Sequence, residues 1–234
     1  MTRTQLSHLT PLEQLCAPRL VRRIVQLMVG LMLYGFSMAM MIRAALGLDP
    51  WDVLHAGLAA QLPLSFGTIV IIVGALVLLA WIPLRQIPGL GTVANVIVIG
   101  LATDLGLAVL DQPATWLGRG LMLATGVVLN GLAGALYIGS QLGPGPRDGL
   151  MTGLVRRTGR SVRLVRTSLE VAVLAIGWML GGSVGLGTVV YALAIGPLVH
   201  AMLPWATVDL RLPRKSVAVE PAMLAAAACA ESEH

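Results

Sequence analysis

The sequence is poor in charged and aromatic residues, which make up 12% and 4% of its 234 positions. An ordinary soluble domain has about 25% charged residues. Hydrophobic residues make up 56%, and the mean hydropathy is +0.84. Because so few polar side chains cannot cover a globular surface, the composition excludes a water-soluble domain and indicates a membrane protein.

Cysteine is equally scarce and carries no recognisable site. Cys16 and Cys229 lie near opposite ends of the chain, outside its apolar runs, so they form neither a disulfide framework nor a metal-ligand spacing. The sequence also has no phosphate-binding loop with lysine, no Ser-His-Asp set in a plausible order and no basic groove with interleaved aromatics. We therefore expect no metal, no cofactor, no nucleic-acid partner and no enzymatic activity.

Long apolar runs are the main feature that is present. A helix needs about 20 apolar residues to cross the hydrocarbon core of a bilayer. Six runs come close to this length, at 24–46, 66–84, 90–110, 120–142, 164–182 and 187–204. The sequence thus predicts an all-α polytopic membrane protein with six transmembrane helices.

The positions of the basic residues predict the orientation of these helices. If the N-terminus is cytoplasmic, 14 of the 16 lysines and arginines fall on cytoplasmic segments, and only Arg43 and Arg119 fall outside. Cytoplasmic loops of membrane proteins carry such an excess. We therefore expect both termini to be cytoplasmic.

The two halves of the chain repeat each other. A shift of 96 residues aligns 24–110 with 120–206 without a gap and gives 25 identities. Residues 46–58 and 142–154 share seven of 13 positions, including glycine, proline and aspartate. Because each half has three predicted spans, an odd number, the second half enters the membrane from the opposite face, as in many secondary transporters.

This repeat divides the chain into five segments. We expect a cytoplasmic N-terminal tail, a first membrane repeat, an external linker, a second membrane repeat and a cytoplasmic C-terminal tail. Their bounds are 1–23, 24–110, 111–119, 120–206 and 207–234.

Each repeat also contains a short helix start. Proline fits the first position of a helix, and an acid two residues later favours its N-terminus, as at Pro50 with Asp52 and at Pro146 with Asp148. The helices should end by Pro63 and around Gly159, which makes them too short to span. They are either re-entrant helices, whose N-terminal N–H groups face a cavity and hold an anion or a substrate carboxylate, or interfacial helices that lie flat.

Polar residues inside the predicted spans are candidates for function because burying them in lipid is costly. Tyr34 and Asn130 occupy equivalent positions in the two repeats and could contact a substrate together with Trp51, or could bond neighbouring helices. Asp104, Glu170 and His200 are candidate coupling or proton-transfer groups. For Glu170 the alternative is an ion pair with Arg166, and for Asp104 and His200 it is simple solvation at the interface.

An arginine-rich segment separates the fourth and fifth predicted spans. It could bind anionic lipid at about 1 kcal/mol per charge. It could also dock a protein partner, or simply set the orientation. Its members are Arg147, Arg156, Arg157, Arg160, Arg163 and Arg166.

Three segments together resemble a known family. Residues 50–58, 81–92 and 143–151 look like the corresponding parts of the bacterial YczE-type membrane proteins, which are grouped with the YitT family. The likeness covers about residues 22–206. It implies a small polytopic protein of the bacterial inner membrane, without an established substrate or agreed catalytic residues.

These patterns favour a secondary transporter or permease-like carrier of a small solute. The residues nearest its site would be Pro50, Trp51, Asp52, Pro146 and Asp148. The alternative is a membrane partner that transports nothing and regulates another protein through the arginine-rich segment. The oligomeric state stays open, with a homo-oligomer as one option.

Overall fold

The computed structural model describes residues 11–210, and within this range the chain is helical, with no strand. A short helix, α1, is followed by eight helices of at least 12 residues. Their bounds are α1 Pro11–Cys16, α2 Leu20–Ala44, α3 Pro50–Gln61, α4 Phe66–Trp81, α5 Leu90–Val109, α6 Trp116–Gly139, α7 Pro146–Thr158, α8 Val162–Met179 and α9 Leu186–Ala206. Cys229 and most of the predicted C-terminal tail lie outside the described residues, as do the first ten positions.

The helices of the two halves begin at matching positions. Helices α2, α3, α4 and α5 start 96 residues before α6, α7, α8 and α9, respectively. The observed helices lie within four residues of the predicted runs at nearly every boundary. The main difference from the prediction is in the first run. Helix α2 begins at Leu20, so it includes Arg23, which we expected in the tail. The Arg23 side chain is fully buried.

Four of the described helices are long and apolar enough to cross a bilayer, namely α2, α5, α6 and α9. Helices α3 and α4 meet at an angle of 117° and would count as a fifth crossing if they form one broken span. At 1.5 Å per residue, the 16 residues of α4 reach about 24 Å, short of the ~30 Å core. The structure thus shows a polytopic helical membrane protein with four or five candidate spans.

The outer surface of the bundle suits a lipid environment. Leucine side chains such as Leu193 and Leu105 are 73% and 67% exposed, which would be costly in water. Trp116, Trp178 and Trp205 are exposed near helix ends, where tryptophan commonly lies at the membrane–water interface.

Helices α2 and α6 form the centre of the bundle. Asn130 of α6 donates a hydrogen bond from its side-chain amide to the Ser37 hydroxyl of α2 at 2.9 Å. Helix α5 packs on α2, and α9 packs on α6. The short helices cross between the halves, because α3 packs on α8 while α7 packs on α4.

A Gly-Leu-Gly-Thr motif occurs at residues 89–92 and again at 185–188. Each copy forms a hydrogen bond to the other half of the protein. The backbone N–H of Gly91 donates to the carbonyl of Leu142, and that of Gly187 donates to the carbonyl of Leu46, both at 2.7 Å. These four residues form two pairs separated by 96 positions. Each half therefore holds the other in the same way.

A glycine precedes each short helix for a steric reason. Gly47 and Gly143, again 96 positions apart, have φ angles of 113° and 123°, in the region that favours glycine. A Cβ on Gly47 would lie 2.6 Å from the backbone nitrogen of Gly185. These turns thus allow the chain to reverse against the other half at the start of each short helix.

Candidate functional site

A cavity of about 250 Å³ lies between the two halves, where the starts of α3 and α7 meet. Of its 28 lining residues, 22 form 11 pairs that are separated by 96 positions. The pairs include Tyr34 with Asn130, Pro50 with Pro146, and Trp51 with Arg147. The cavity wall is therefore built from equivalent backbone positions of the two halves, although the side chains at those positions differ.

The start of α3 is capped by Asp49. Its Oδ1 atom accepts hydrogen bonds from the backbone N–H groups of Trp51 and Asp52, at 2.8 and 2.9 Å. This is a regular N-cap, and Pro50 occupies the first helical position as predicted. Asp49 itself thus fills the place that a bound anion would take at α3.

The second oxygen of Asp49 is buried and lacks a partner. Its Oδ2 atom forms no hydrogen bond within residues 11–210, although the side chain lines the cavity and is only 1% exposed. Asp49 directly precedes Pro50, a typical capping position, but no sequence pattern predicted it as a cavity residue. An unpaired buried carboxylate oxygen is costly, so it requires an explanation.

Asp52 lies one turn further in, directly behind Asp49. Its Oδ1 atom is 3.1 Å from Nδ1 of His55, and the side chain is fully buried. Its Oδ2 atom also has no hydrogen-bond partner in the described part of the chain. Asp52, a predicted site residue, therefore touches the charged cluster without forming part of the cavity lining.

Arg147 is the cation that faces these two acids. Its guanidinium nitrogens lie 3.7 Å from Asp49 Oδ1 and 3.8 Å from Asp52 Oδ1, and the group stacks over the Trp51 ring at 5.1 Å. We expected Arg147 to bind lipid or set the orientation; the structure instead separates it from the exposed arginines and places it in the cavity wall. The repeat contained the signal, because Arg147 aligns with Trp51.

Helix α7 differs from α3 at its start. Gly145 stands where α3 has Asp49, and as a glycine it offers no side chain to cap the helix. Pro146 is at the first position, as predicted, and Asp148 lines the cavity and accepts a hydrogen bond from the Tyr137 hydroxyl at 3.0 Å. Asp148 and its counterpart Asp52 thus both bond a neighbouring side chain, which a capping role alone would not require.

All three tyrosines of the chain converge on the cavity. Tyr34 and Tyr137 pack edge to face with 6.2 Å between ring centres, and the Tyr191 hydroxyl donates to Asn130 Oδ1 at 3.0 Å. The sequence predicted Tyr34 and Asn130 here and missed Tyr137 and Tyr191. They come from helices far apart in the chain, so only tertiary packing brings them together.

Arg166 and Glu170 lie on α8 at the side of the cavity. Arg166 Nε donates to Glu170 Oε1 at 3.0 Å, and both side chains line the cavity while remaining 59% and 41% exposed. The ion pair that we considered for these residues is therefore present. Their charges cancel within the cavity.

Two of the predicted coupling residues lie away from the cavity lining. Asp104 accepts hydrogen bonds from the Ser65 hydroxyl and from the backbone N–H of Gly67 at 2.7 Å, which stabilises the start of α4. His200 is exposed on α9. A coupling role for either residue stays a prediction and would have to act at a distance from the cavity.

The remaining arginines of the basic segment are exposed. Arg156, Arg160 and Arg163 lie on the surface around the α7–α8 turn, and Arg157 donates to the carbonyl of Pro83 at 3.1 Å. Anionic lipid binding there stays a prediction.

A different arginine is fixed inside the protein. Buried Arg23 donates to the carbonyls of Gln14, Ser140 and Gln141 at 2.6 to 2.8 Å. Cations stabilise helix C-termini in this way, and these contacts join α2 to the end of α6.

Comparison with known proteins places this helical architecture in a family. The model of the DUF6198 family, described as a family of unknown function, matches residues 21–204. This chain belongs to the DUF6198 family. The match covers all eight longer helices and the cavity between them, apart from the first and last residues of the helical region.

Two relatives support the assignment. An uncharacterized protein of Haemophilus influenzae is 38% identical over 187 residues, which cover 80% of this chain and 84% of the relative. The uncharacterized membrane protein YczE of Bacillus subtilis is 34% identical over 177 residues, 75% of this chain and 82% of YczE. The resemblance to YczE-type membrane proteins is thus confirmed. No solved structure matches the chain.

Proposed function

We propose that this DUF6198 protein is a secondary transporter or permease-like carrier that moves a small solute through the cavity between its halves. The observation that carries the proposal is the position of the cavity. It lies between two repeated halves, and the starts of two short helices line it at equivalent positions. Transporters with repeated halves bind substrate at such an interface, often beside broken helices.

The proposal includes an inverted topology with six membrane crossings. The reciprocal hydrogen bonds of Gly91 and Gly187 support a two-fold relation between the halves. In a six-span arrangement, α4 and α8 each cross the bilayer, and the short helix before each of them does not cross. Both termini and the α7–α8 turn then face the cytoplasm of a bacterial inner membrane, consistent with the distribution of arginine.

The proposal requires that the cavity be reached alternately from the two faces. Met151 of α7 lines the cavity and is half-buried, so a cysteine there reports access with little change in volume. The background is Cys16→Ser and Cys229→Ser, so that Met151→Cys is the single thiol. We expect a membrane-impermeant maleimide to label it both in right-side-out and in inside-out vesicles.

Two control variants show which face of the protein is exposed in each vesicle preparation. Asp111→Cys lies in the predicted external linker, and Ser161→Cys lies in the predicted cytoplasmic turn. Each should label from one face only, and the two faces should differ. Labelling of both controls from the same face would contradict the inverted topology.

The Met151→Cys result separates the two functions that the sequence left open. Labelling from a single face, under all conditions, would contradict the carrier and favour the membrane partner that docks a protein through exposed arginines.

A further inference from the structure

The charges around the cavity do not balance. Among the described residues, Asp49 and Asp52 face the cation Arg147, and Asp148 lines the same cavity, whereas Arg166 and Glu170 already form an ion pair. With His55 neutral, the cluster has two more negative than positive charges. A buried carboxylate that lacks a counterion either takes up a proton or binds a cationic partner, and the unpaired oxygen of Asp49 at the cavity favours the partner.

The unpaired oxygen of Asp49 shows where this partner would bind, and a second unpaired oxygen belongs to Asp52, outside the cavity lining. Oδ2 of Asp49 and Oδ2 of Asp52 are buried and unpaired within residues 11–210, and the Oδ1 atoms of the same side chains are engaged. Asp49 lines the cavity, so its free oxygen is available to a bound group. A carboxylate oxygen in this position accepts hydrogen bonds from an ammonium group.

The rest of the wall favours an organic cation over a metal ion. Hard metal cations take oxygen ligands on all sides. Here the lining includes three tyrosine rings, the Trp51 ring and an apolar valine surface that contains Val70, Val73 and Val77. Aromatic faces attract alkylammonium groups, and apolar walls suit their carbon atoms.

We infer that the cavity binds a small organic cation, a solute with an ammonium group that Asp49 holds while the tyrosine rings contact its apolar part. The inference rests on the proposed function, because it assigns a substrate class to the same cavity. A cavity volume of about 250 Å³ limits the solute to a small molecule.

Binding is measured on the purified full chain in detergent, by thermal stability and by calorimetry. The probes are methylammonium, tetramethylammonium and choline chloride, with sodium chloride, potassium chloride and sodium acetate at equal ionic strength. A ligand that binds the native state raises its apparent stability. At least one ammonium probe should do so, and the sodium and potassium salts should not.

The variant Asp49→Asn tests the assigned residue. Asparagine still caps α3 through its carbonyl oxygen, so the variant should fold, but it removes the charged Oδ2. We expect the affinity for the ammonium probe to fall about 10- to 100-fold, as for a lost hydrogen bond to a charged group. The exposed residue Asp111 gives the matched control, and Asp111→Asn should leave the affinity unchanged.

The variant Arg147→Gln gives an effect of opposite sign. Arg147 is the cation that faces Asp49 and Asp52 among the described residues, so removing it increases the negative charge and the ammonium probe should bind more tightly. Weaker binding of the ammonium probe by this variant would overturn the inference. Binding of acetate by the wild type would show an anion site and would also overturn it.

The remaining outcomes are equally decisive. A response to sodium or potassium alone would show a metal-ion site, and no response to any probe would leave the excess charge without the cation that we infer; either result contradicts the inference. The proposed carrier function is tested separately, because labelling of Met151→Cys from two faces needs no ligand.

Discussion

The two short helices α3 and α7 have nearly the same backbone and opposite surroundings. They are 12 and 13 residues long, and each starts with proline after an extended residue. Asp49 caps α3, and the side chains of Trp51, Asp52 and His55 near its start are buried. Helix α7 has Gly145 in the capping position and carries Arg147 at the cavity. The repeated fold therefore constrains the backbone, and the differing side chains give the cavity its charge.

The same comparison holds for packing. Val53 of α3 lies against Gly177 of α8, and the equivalent pair in the other half is Gly149 of α7 against Trp81 of α4. The large and the small residue have changed places between the halves. Trp81 is held in this position by a hydrogen bond from its ring N–H to the carbonyl of Pro146 at 3.0 Å.

The largest change in stability is expected from a substitution that places an extra methyl group between Gly149 and the Trp81 ring. A Cβ on Gly149 would lie 1.9 Å from the Trp81 ring, so Gly149→Ala should lower the free energy of unfolding by about 3 kcal/mol, the upper range for overpacking. Unfolding in a denaturing detergent measures the change. Gly120→Ala on α6 is the control, because a Cβ at that position would meet no neighbouring group of the described residues within 4 Å. If the two variants have the same free energy of unfolding, the close packing of Gly149 against Trp81 does not contribute to stability.

A smaller loss is expected when the cavity cation is removed. Arg147→Met leaves Asp49 and Asp52 buried without a counterion and should cost about 2 kcal/mol, below the ~3–5 kcal/mol of fully buried pairs because Arg147 is 32% exposed. Arg163→Met, at an exposed position, should change the free energy of unfolding by less than about 0.5 kcal/mol. Equal losses of unfolding free energy in the two variants would contradict the role of Arg147 as the counterion of Asp49 and Asp52.

The smallest difference should separate two equivalent threonines. Thr92 accepts from the backbone N–H of Gly89 and donates to the Pro144 carbonyl at 2.7 Å, whereas for Thr188 the structure gives only the bond from Gly185. At about 1 kcal/mol per hydrogen bond, Thr92→Val should cost about 1 kcal/mol more than Thr188→Val. The same unfolding assay compares the two variants, and a larger loss for Thr188→Val would reverse the assignment.

Much of the architecture could be predicted from local signals. Asp49, Pro50 and Pro146 mark helix starts by capping and by the fixed φ of proline, and the observed helices begin there. The 96-residue shift revealed the repeat, although not the hydrogen bonds that Gly91 and Gly187 make across the halves. Six spans and their orientation remain predictions, since four or five of the described helices meet the length and hydropathy expected of a span.

The site was predictable only in part, for a physical reason. Tyr34 and Asn130 were expected because polar groups at membrane depth are rare, and Trp51 and Asp148 because they lie at the starts of the short helices. Tyr137 and Arg147 were not, because a tyrosine in an apolar run and an arginine in a basic segment have common structural explanations. Their role depends on neighbours from other helices, which no local pattern specifies.

The sequence by itself determined that the chain is a helical membrane protein, and it located the repeat and the starts of the short helices. These properties follow from apolar composition, proline and glycine, which act through the nearest residues of the chain. Only the tertiary structure decided that Asp49 and Asp52 face Arg147 and that three tyrosines surround one cavity. Charge balance and burial are properties of groups that meet in space, so they appear only when the two halves have packed together.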